Sequence, residues 1–375
     1  MKKILISKQS LSKTYSGACR SVHEEILYFK AKGFEVHTIS EDINKEDLEA
    51  SGAVVHKSFR WPWQKKINRR LQFSKQTKKL ADKLKPSLTI GHGDYQFPDI
   101  HFIHNCVHLA NERIHGKALS PNNEMYQIHT PIFKERQFKH IAANSELVKN
   151  ELITRFGIPS SDISVIYPSV NEKQFYPFEK EKTSAVRAEL GIKEDEFLIG
   201  LITSGNFKKR GVDRFFKAIN LLPESIANKC HFVLVGKDKL SPEYEELLDE
   251  NRFKDRIKFL PVINDVESYF NALDIFVLPA RIEEFGRVVA EAMACGAPII
   301  TTKWVGASEL MKGESANFIY DGEDHAELSA LILRLVNDKE LRDKVSLENR
   351  ESASTIFESK LGVVFDRVFT RFLDS

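Results

Sequence analysis

The chain has 375 residues, room for two domains at about 100–200 residues each, and its 42% hydrophobic and 10% aromatic content excludes global disorder. Lys and Arg number 55 against 53 Asp and Glu, a net charge of +2 that says nothing of partners. The distribution says more: residues 1–175 hold 27 basic and 18 acidic side chains and the remainder 28 and 35, so a first part at +9 precedes a second at −7, which points to an anionic partner for the first.

Short β-branched runs alternate with longer amphipathic stretches along the chain. The pattern predicts strands at 3–7, 35–39, 87–90, 99–104 and 140–143, with helices at 17–32 and 145–156. Pro159, Pro168 and Pro177 then interrupt the series over 158–182, where a linker is expected, its core at 169–182. The alternation restarts with strands at 197–203, 231–235, 256–259, 274–278 and 298–302 and helices at 211–222, 241–251, 286–295 and 323–337. Such repetition is the signature of a parallel sheet with crossover helices, hence the α/β class. Two successive doubly wound units, 1–168 and 183–354, with a cleft between them fit the length. The last stretch, 355–375, has Ile356, Leu361, Val364, Val368 and Phe372 near helical spacing and is expected to pack on one of the two domains, with the first as its seat.

Four cysteines, Cys19, Cys106, Cys230 and Cys295, stand far apart with no C-x-x-C pair, which argues against a zinc ribbon, a redox motif or a disulfide framework and favours a reducing compartment. The apolar run after Lys2-Lys3 is too short for a signal-peptide core, and no run reaches the length of a membrane span. These features lead to the expectation of a cytoplasmic protein. There is no P-loop and no G-x-S-x-G elbow; Gly91-His-Gly93 imitates half of a dinucleotide fingerprint, but Gln96 stands where the third glycine belongs. No D-x-D occurs, so the commonest carboxylate grip on a diphosphate-bound metal is missing and no metal is expected. His101, His104 and His108 suggest a metal cluster at first sight, yet a strand sends the first two to opposite faces, and hydrogen-bonding histidines at a strand end are expected instead.

Two segments carry chemistry. In 281–300 an apolar strand runs through Glu283-Glu284-Phe285-Gly286 into a helix of small residues. A helix N-terminus reached through a glycine is an anion site, because its N–H groups and dipole point at the ligand. Glu283 precedes this helix, and Glu291 lies on its second turn, where a carboxylate can accept hydrogen bonds from a diol; solvated glutamates on an amphipathic helix are the bland alternative. In 204–213 the cations Lys208, Lys209 and Arg210 again lie between a strand and a helix. Ligands bind outside the carboxyl ends of parallel strands, so Lys209 and Arg210 can neutralise a diphosphate there.

The setting Glu-Phe-Gly-x4-Glu-Ala-Met-Ala-Cys-Gly-x-Pro-Ile-Ile, with Glu283 and Glu291 eight apart, resembles the signature of retaining glycosyltransferase family 4, of the GT-B fold. Val165–Asn171, Arg210-Gly-Val-Asp213, Val235-Gly236 and Val305–Leu310 agree with it, and Phe207–Asp213, Leu222–Ser225 and Val235–Asp238 are most similar to the lipopolysaccharide core glucosyltransferase branch. The resemblance implies two Rossmann-like domains facing a cleft, with an acceptor-binding first domain and a nucleotide-sugar-binding second. It implies that Lys209 and Arg210 hold the diphosphate in place of a metal and that Phe285, Gly286, Arg287 and Val288 offer backbone N–H groups to sugar and phosphate. By the same resemblance Glu283 meets the sugar hydroxyls and Glu291 the ribose, Gly205 and Gly236 belong to the donor site, Gly17 approaches its phosphates, and His104 stands near the acceptor. No nucleophile is assigned. Three departures from the family pattern, Ser16, Glu284 and Ala307, each stand where relatives carry glycine.

Between 57 and 85 stand eleven cations and one acid, Asp82, interleaved with Trp61, Trp63, Ile67, Leu71 and Phe73. This composition suits the surface of an anionic membrane, where each cation contributes about 1 kcal/mol; a solvated helix with its apolar side on its own core is the alternative. No nucleic-acid motif accompanies the segment. The expectation is a retaining, metal-independent transferase that moves a hexose, glucose from UDP favoured, to a glycolipid or surface-polysaccharide acceptor such as the lipopolysaccharide core. It would act peripherally on the cytoplasmic face of the inner membrane. A nucleotide-sugar epimerase or hydrolase of the same fold, or a non-catalytic anion-binding protein, is the alternative.

Overall fold

The computed structural model describes residues 1–12, 17–61, 63–250 and 252–373. Two compact units divide the chain: unit 1 is Met1–Ser169 with Ser359–Ser375, and unit 2 is Val170–Glu358.

In unit 1 the strands β1 (Lys3–Ser7), β2 (Glu35–Ser40), β3 (Val54–Lys57), β4 (Leu88–Gly91), β5 (Ile100–Ile103), β6 (His140–Ala143) and β7 (Ile163–Val165) form one parallel sheet in the order β3-β2-β1-β4-β5-β6-β7. Ile4, Leu5 and Ile6 are all fully buried, as befits a central strand covered on both faces. Successive side chains alternate between layers. Ile4 and Ile6 join Val22, Ile26 and Phe29 of helix α1 (Gly17–Ala31), while Leu5 packs with Ile39 and Phe73 of helix α2 (Lys66–Leu84). Helix α3 (Glu124–Glu135) is capped by the Asn123 side chain, which accepts from the Met125 N–H. Helix α4 (Glu146–Phe156) starts where Ser145 accepts from the Val148 N–H and stops at Gly157 in the left-handed region.

The proline-punctuated stretch is not a bare linker. Its residues 163–165 are β7, paired with β6 in the register Ile141↔Ile163, and they belong to unit 1. Residues 170–182 belong to unit 2, and helix α5 (Lys180–Glu189) has already begun by 180.

Unit 2 repeats the plan. Strands β8 (Phe197–Ile202), β9 (Cys230–Val235), β10 (Ile257–Leu260), β11 (Ile275–Leu278), β12 (Ile299–Thr302) and β13 (Ile319–Tyr320) form a parallel sheet ordered β10-β9-β8-β11-β12-β13. Helix α6 (Val212–Asn220) follows β8, and α7 (Arg287–Ala294) lies between β11 and β12. In each sheet the strand order reverses beside the first strand, which puts a topological switch point there. The chain then returns to unit 1 through α8 (Glu358–Leu373), whose Phe365, Val368 and Phe369 join the cluster around Ile4, Ile6 and Phe29. Tyr28 of α1 and Lys32, the residue just after it, both reach Asp366, at 2.7 Å each. Cutting a buried phenylalanine such as Phe369 back to alanine costs about 3–5 kcal/mol, so α8 is an integral part of unit 1.

Candidate active site

The unit 2 site is built at the carboxyl ends of β8, β9 and β11. After β8, Thr203 Oγ1 accepts from the Gly205 N–H, and Asn206, held at φ +60°, accepts from the Lys209 N–H at 3.2 Å. These bonds wind 207–210 into a single helical turn that displays Lys209 and Arg210. The Phe207 ring lies so close to Gly236, at the end of β9, that a Cβ there would stand 2.4 Å from it; only glycine lets the two loops meet. Asp238 completes the join by accepting from the Phe207 N–H at 3.0 Å.

Beyond β11 the chain enters the second loop. Arg281 ties it to the first: its backbone N–H donates to the Lys209 carbonyl and Nη1 to the Lys208 carbonyl, both at 2.8 Å. Its guanidinium also grips Asp213 of α6 in a two-pronged pair at 2.8 and 2.6 Å. Burial alone would raise the Asp213 carboxyl, but the hydrogen bonds and charge of Arg281 outweigh it and hold the group below its ordinary value. Sequence reasoning missed Arg281 and Asp213 as a pair, since 68 positions separate them.

Four charged groups meet where the loops converge. Lys209 Nζ lies 2.6 Å from Glu284 and 3.9 Å from Glu283, and Arg210 is ion-paired with Glu283. Glu284, one of the departures from the family pattern, is buried and is thus the main partner of Lys209. Gly286 follows at φ +91°, where a Cβ would stand 2.9 Å from Val305, and it turns the chain into α7. The Phe285 carbonyl accepts from the Ala307 N–H at 2.6 Å, so alanine in place of glycine leaves this brace intact. Arg287 and Val288 are the first two residues of α7, and Glu291 stands one turn on. Glu291 is only 4% exposed and is flanked by buried Ala290 and Ala292, so it is not the solvated carboxylate of an ordinary amphipathic helix. The structure therefore brings Gly205, Lys209, Arg210, Gly236, Glu283, Phe285, Gly286, Arg287, Val288 and Glu291 to the strand ends of one unit.

Gly17 and His104 belong to unit 1. Gly17 is the first residue of α1; Ser16 lies outside the described residues. His104 follows β5, and its Nε2 lies 2.9 Å from Nδ1 of His92. Both rings border a cavity of about 250 Å³ shared with Lys8, Arg70, Asn105 and His129. His101, on β5, is fully buried, and neither of its ring nitrogens has a hydrogen-bond partner. It is therefore a packed core histidine, not the hydrogen-bonding strand-end residue expected. Among the described residues no three His, Cys, Asp or Glu side chains are grouped as metal ligands would be, and all four cysteines are buried thiols.

The basic segment splits in two. Arg69 of α2 meets Glu41 at 2.5 Å, Arg70 meets Asp94 at 2.9 Å, and the apolar side of the helix, with Phe73 and Leu80, packs on Leu5 and Ile39. That part is a helix folded onto its own core. The exposed apolar groups lie just before it, where Phe59, Trp61 and Trp63 are 56%, 60% and 95% exposed. No described helix is long and apolar enough to cross a membrane.

Comparison with known proteins agrees with this geometry. Residues 182–352 match the family of glycosyl transferases group 1, and residues 15–174 match glycosyltransferase family 4. The two matches fall one on each unit, and the chain belongs to the glycosyltransferases of GT-B fold.

Among individual relatives it is similar to the lipopolysaccharide glucosyltransferase WaaG of Escherichia coli K12, 28% identical over 191 residues, which are 51% of this chain and 50% of WaaG. It is 26% identical to the capsular polysaccharide biosynthesis glycosyltransferase CapM of Staphylococcus aureus, over 59% of this chain and 58% of CapM. These alignments thus span little more than half the length of either relative. The fold likeness runs further. The crystal structure of WaaG superposes with a TM-score of 0.79 at 18% identity over 97% of this chain and 99% of that one. Anabaena HepE, solved in complex with UDP and glucose, gives 0.78 at 19% identity over 99% and 100%.

Proposed function

We propose that this protein transfers a hexose from a nucleotide sugar, UDP-glucose in the first instance, to a glycolipid or surface-polysaccharide acceptor, with retention of configuration and without a metal ion. The observation that carries the reading is the meeting of Lys209 and Arg210 with Glu283 and Glu284 beside the start of α7, one turn ahead of buried Glu291. An entering diphosphate competes with the two carboxylates for the cations. Once there, it gains two charge-assisted contacts that strengthen as the sugar–phosphate bond breaks and charge builds on the leaving group. Glu283, released from Arg210, is then placed to accept from the sugar hydroxyls, and Glu291 to accept from the ribose. In unit 1, His104 addresses the acceptor and Gly17 the donor phosphates. The names of the relatives, lipopolysaccharide and capsular glycosyltransferases and a UDP-glucose-binding neighbour, support this choice of donor and acceptor.

The test is calorimetric titration with UDP, GDP, ADP and dTDP in the presence of a chelator. UDP is expected to bind, chelator to change nothing, and Glu291→Gln and Glu291→Ala to weaken binding about tenfold, the loss of one to two hydrogen bonds to a charged group. Absence of binding by all four nucleotides would overturn the donor site and favour a non-catalytic anion-binding protein. Turnover of donor at the same rate with and without acceptor would favour a hydrolase.

The acceptor reading includes a membrane surface. Phe59, Trp61 and Trp63 supply interfacial aromatic groups, and the neighbouring Arg60, Lys65 and Lys66 supply attraction to anionic lipid. Cosedimentation with vesicles of phosphatidylglycerol should fall when Trp61 and Trp63 are both changed to serine, and persistence of binding would remove this role from the loop.

A further inference from the structure

The turn that carries Lys209 and Arg210 is four residues long, too short to hold itself in a helical shape. Lys208, Lys209 and Arg210 are also three consecutive cations, which repel one another. The turn therefore depends on groups outside it. At its start the Asn206 side chain accepts from the Lys209 N–H at 3.2 Å. At its other end the carbonyls of Lys208 and Lys209 both accept from one residue of the second loop, Arg281, at 2.8 Å each. Gly211 lets the loops meet there. It closes the turn at φ +73°, and a Cβ on it would stand 2.0 Å from the Pro279 carbonyl oxygen.

Arg281 brings a further positive charge to a turn that already holds three, and Asp213 cancels it. The carboxylate takes both arms of the guanidinium, at 2.8 and 2.6 Å, a geometry that fixes direction as well as adding strength. Only 18% of the Arg281 side chain and 11% of the Asp213 side chain are exposed. Both groups stay ionised, since hydrogen bonding to Asp213 raises Arg281 and Arg281 holds Asp213 below its ordinary value. Asp213 has a firm base, because α6 is anchored by the fully buried Phe215 and Ile219.

This brace differs from the other charged contacts of the site in the atoms it uses. Lys209 with Glu284 and Arg210 with Glu283 are side-chain pairs, which an entering diphosphate must open. Arg281 holds backbone carbonyls and an acid that belongs to neither pair, so its contacts can stay closed while the two cations turn to the ligand. We propose that Arg281 and Asp213 are positioning residues for the donor diphosphate. They hold the backbone of the 207–210 turn in one place, with the site empty or filled, so that Lys209 and Arg210 meet the leaving group without rearrangement. The inference rests on the donor reading of unit 2 for the identity of the ligand.

The test compares UDP, which presents the full charge of the leaving group, with uridine, which lacks it, by calorimetry on the full chain. Arg281→Met keeps the stem and the backbone N–H and loses the guanidinium. UDP affinity should fall about tenfold, the scale on which a group that orients a charged contact acts, while uridine affinity stays at the wild-type value. Arg281→Lys keeps a charge without the two-pronged grip and should recover part of the loss. Asp213→Asn should weaken UDP binding in the same direction. In a Lys209→Ala background Arg281→Met should cost only about threefold, because Arg210 alone is left on the turn to be misplaced. Undiminished UDP affinity in Arg281→Met, an equal loss for uridine, or the full tenfold in the Lys209→Ala background would each overturn the proposal. So would tighter UDP binding in Asp213→Asn, which would make that carboxylate an opponent of the ligand's charge. If the wild type binds neither UDP nor uridine, the donor reading fails and takes the inference with it. If the wild type binds UDP and Arg281→Met binds it equally well, the inference alone fails.

Discussion

Units 1 and 2 share a strand order and differ in what they place at the strand ends. Unit 2 sets cations against carboxylates, Lys209 and Arg210 against Glu283 and Glu284, with Arg281 and Asp213 bracing the loops behind them. Unit 1 gathers histidines instead, and burial keeps His92, His101 and His129 neutral. One sheet end is thus tuned by ion pairing, which persists across the neutral range, and the other by desolvation, which keeps its histidines uncharged. The same scaffold carries either chemistry because the loops after the strands, not the sheets, supply the charged groups.

The comparison breaks most visibly on acidification. Burial, with His129 and His92 adding to it, lowers His101 to about 3, and burial with Arg70 and His108 lowers His129 to about 4. In the unfolded chain both titrate near about 6.5, so below that pH the unfolded state binds more protons and stability falls as pH falls. His92 acts in the same direction, and Glu25, raised in the fold, acts in the opposite one. His101 and His129 alone, at up to about 1.4 kcal/mol per pH unit each, amount to about 3 kcal/mol lost between pH 6.5 and 5, and His37, His56, His108 and His140, all lowered chiefly by burial, act in the same direction. In unit 2, Asp213 is lowered, so its contribution is lost only as pH falls through the carboxylate range. His325 of that unit is lowered chiefly by burial and adds to the loss. Hydrogen exchange followed by mass spectrometry, corrected for the intrinsic rate, should show β1 and β4 losing protection at pH 5 well before β8 and β11. Equal loss in both units would remove the distinction.

The unit 2 arm of the comparison sharpens on Lys209. Changing it to alanine removes the cation that reaches both carboxylates, and loss of one preorganised donor to a developing oxyanion lowers kcat by about 10²–10³. KM for the donor should rise far less if the contact strengthens in the transition state. A fall in donor affinity with kcat intact would make Lys209 a binding residue only.

The two units also differed in how much of them could be read from sequence. The central strands were legible because burial on both faces makes them unbroken apolar runs, as in Ile4-Leu5-Ile6 and Phe276-Val277-Leu278. Strand β7 was not, because Ile163-Ser164-Val165 is three residues long between prolines and exists only through its pairing with β6. The unit 2 candidate residues, Gly236 apart, could be picked out together because they cluster in two contiguous segments. The unit 1 pair of His92 and His104 could not: the two lie beyond different strands, and no local pattern marks residues that meet only after the sheet has formed. In the basic segment the charge count was plain, yet the inward turn of Arg69 and Arg70 toward Glu41 and Asp94 is a tertiary fact. That is why the exposed aromatic groups lie ahead of the helix and not along it.

The smallest expected effect tests whether Glu284 restrains the cation it touches. The pair with Lys209 at 2.6 Å is held beside Glu283, so Lys209 faces two carboxylates, and a diphosphate must displace at least one of them. Glu284→Gln keeps the side-chain volume and an acceptor oxygen but removes one negative charge from the path of an anionic ligand. Like charges at this range, in a partly buried setting, weaken binding by about 1 kcal/mol. UDP affinity should therefore rise several-fold in Glu284→Gln, more at low salt than at high salt because screening dulls the repulsion. Glucose lacks the charge, so its binding should not change. A fall in UDP affinity would mean that Glu284 orients Lys209 for the diphosphate instead of competing with it, and the departure from glycine at this position would then be a support for the site.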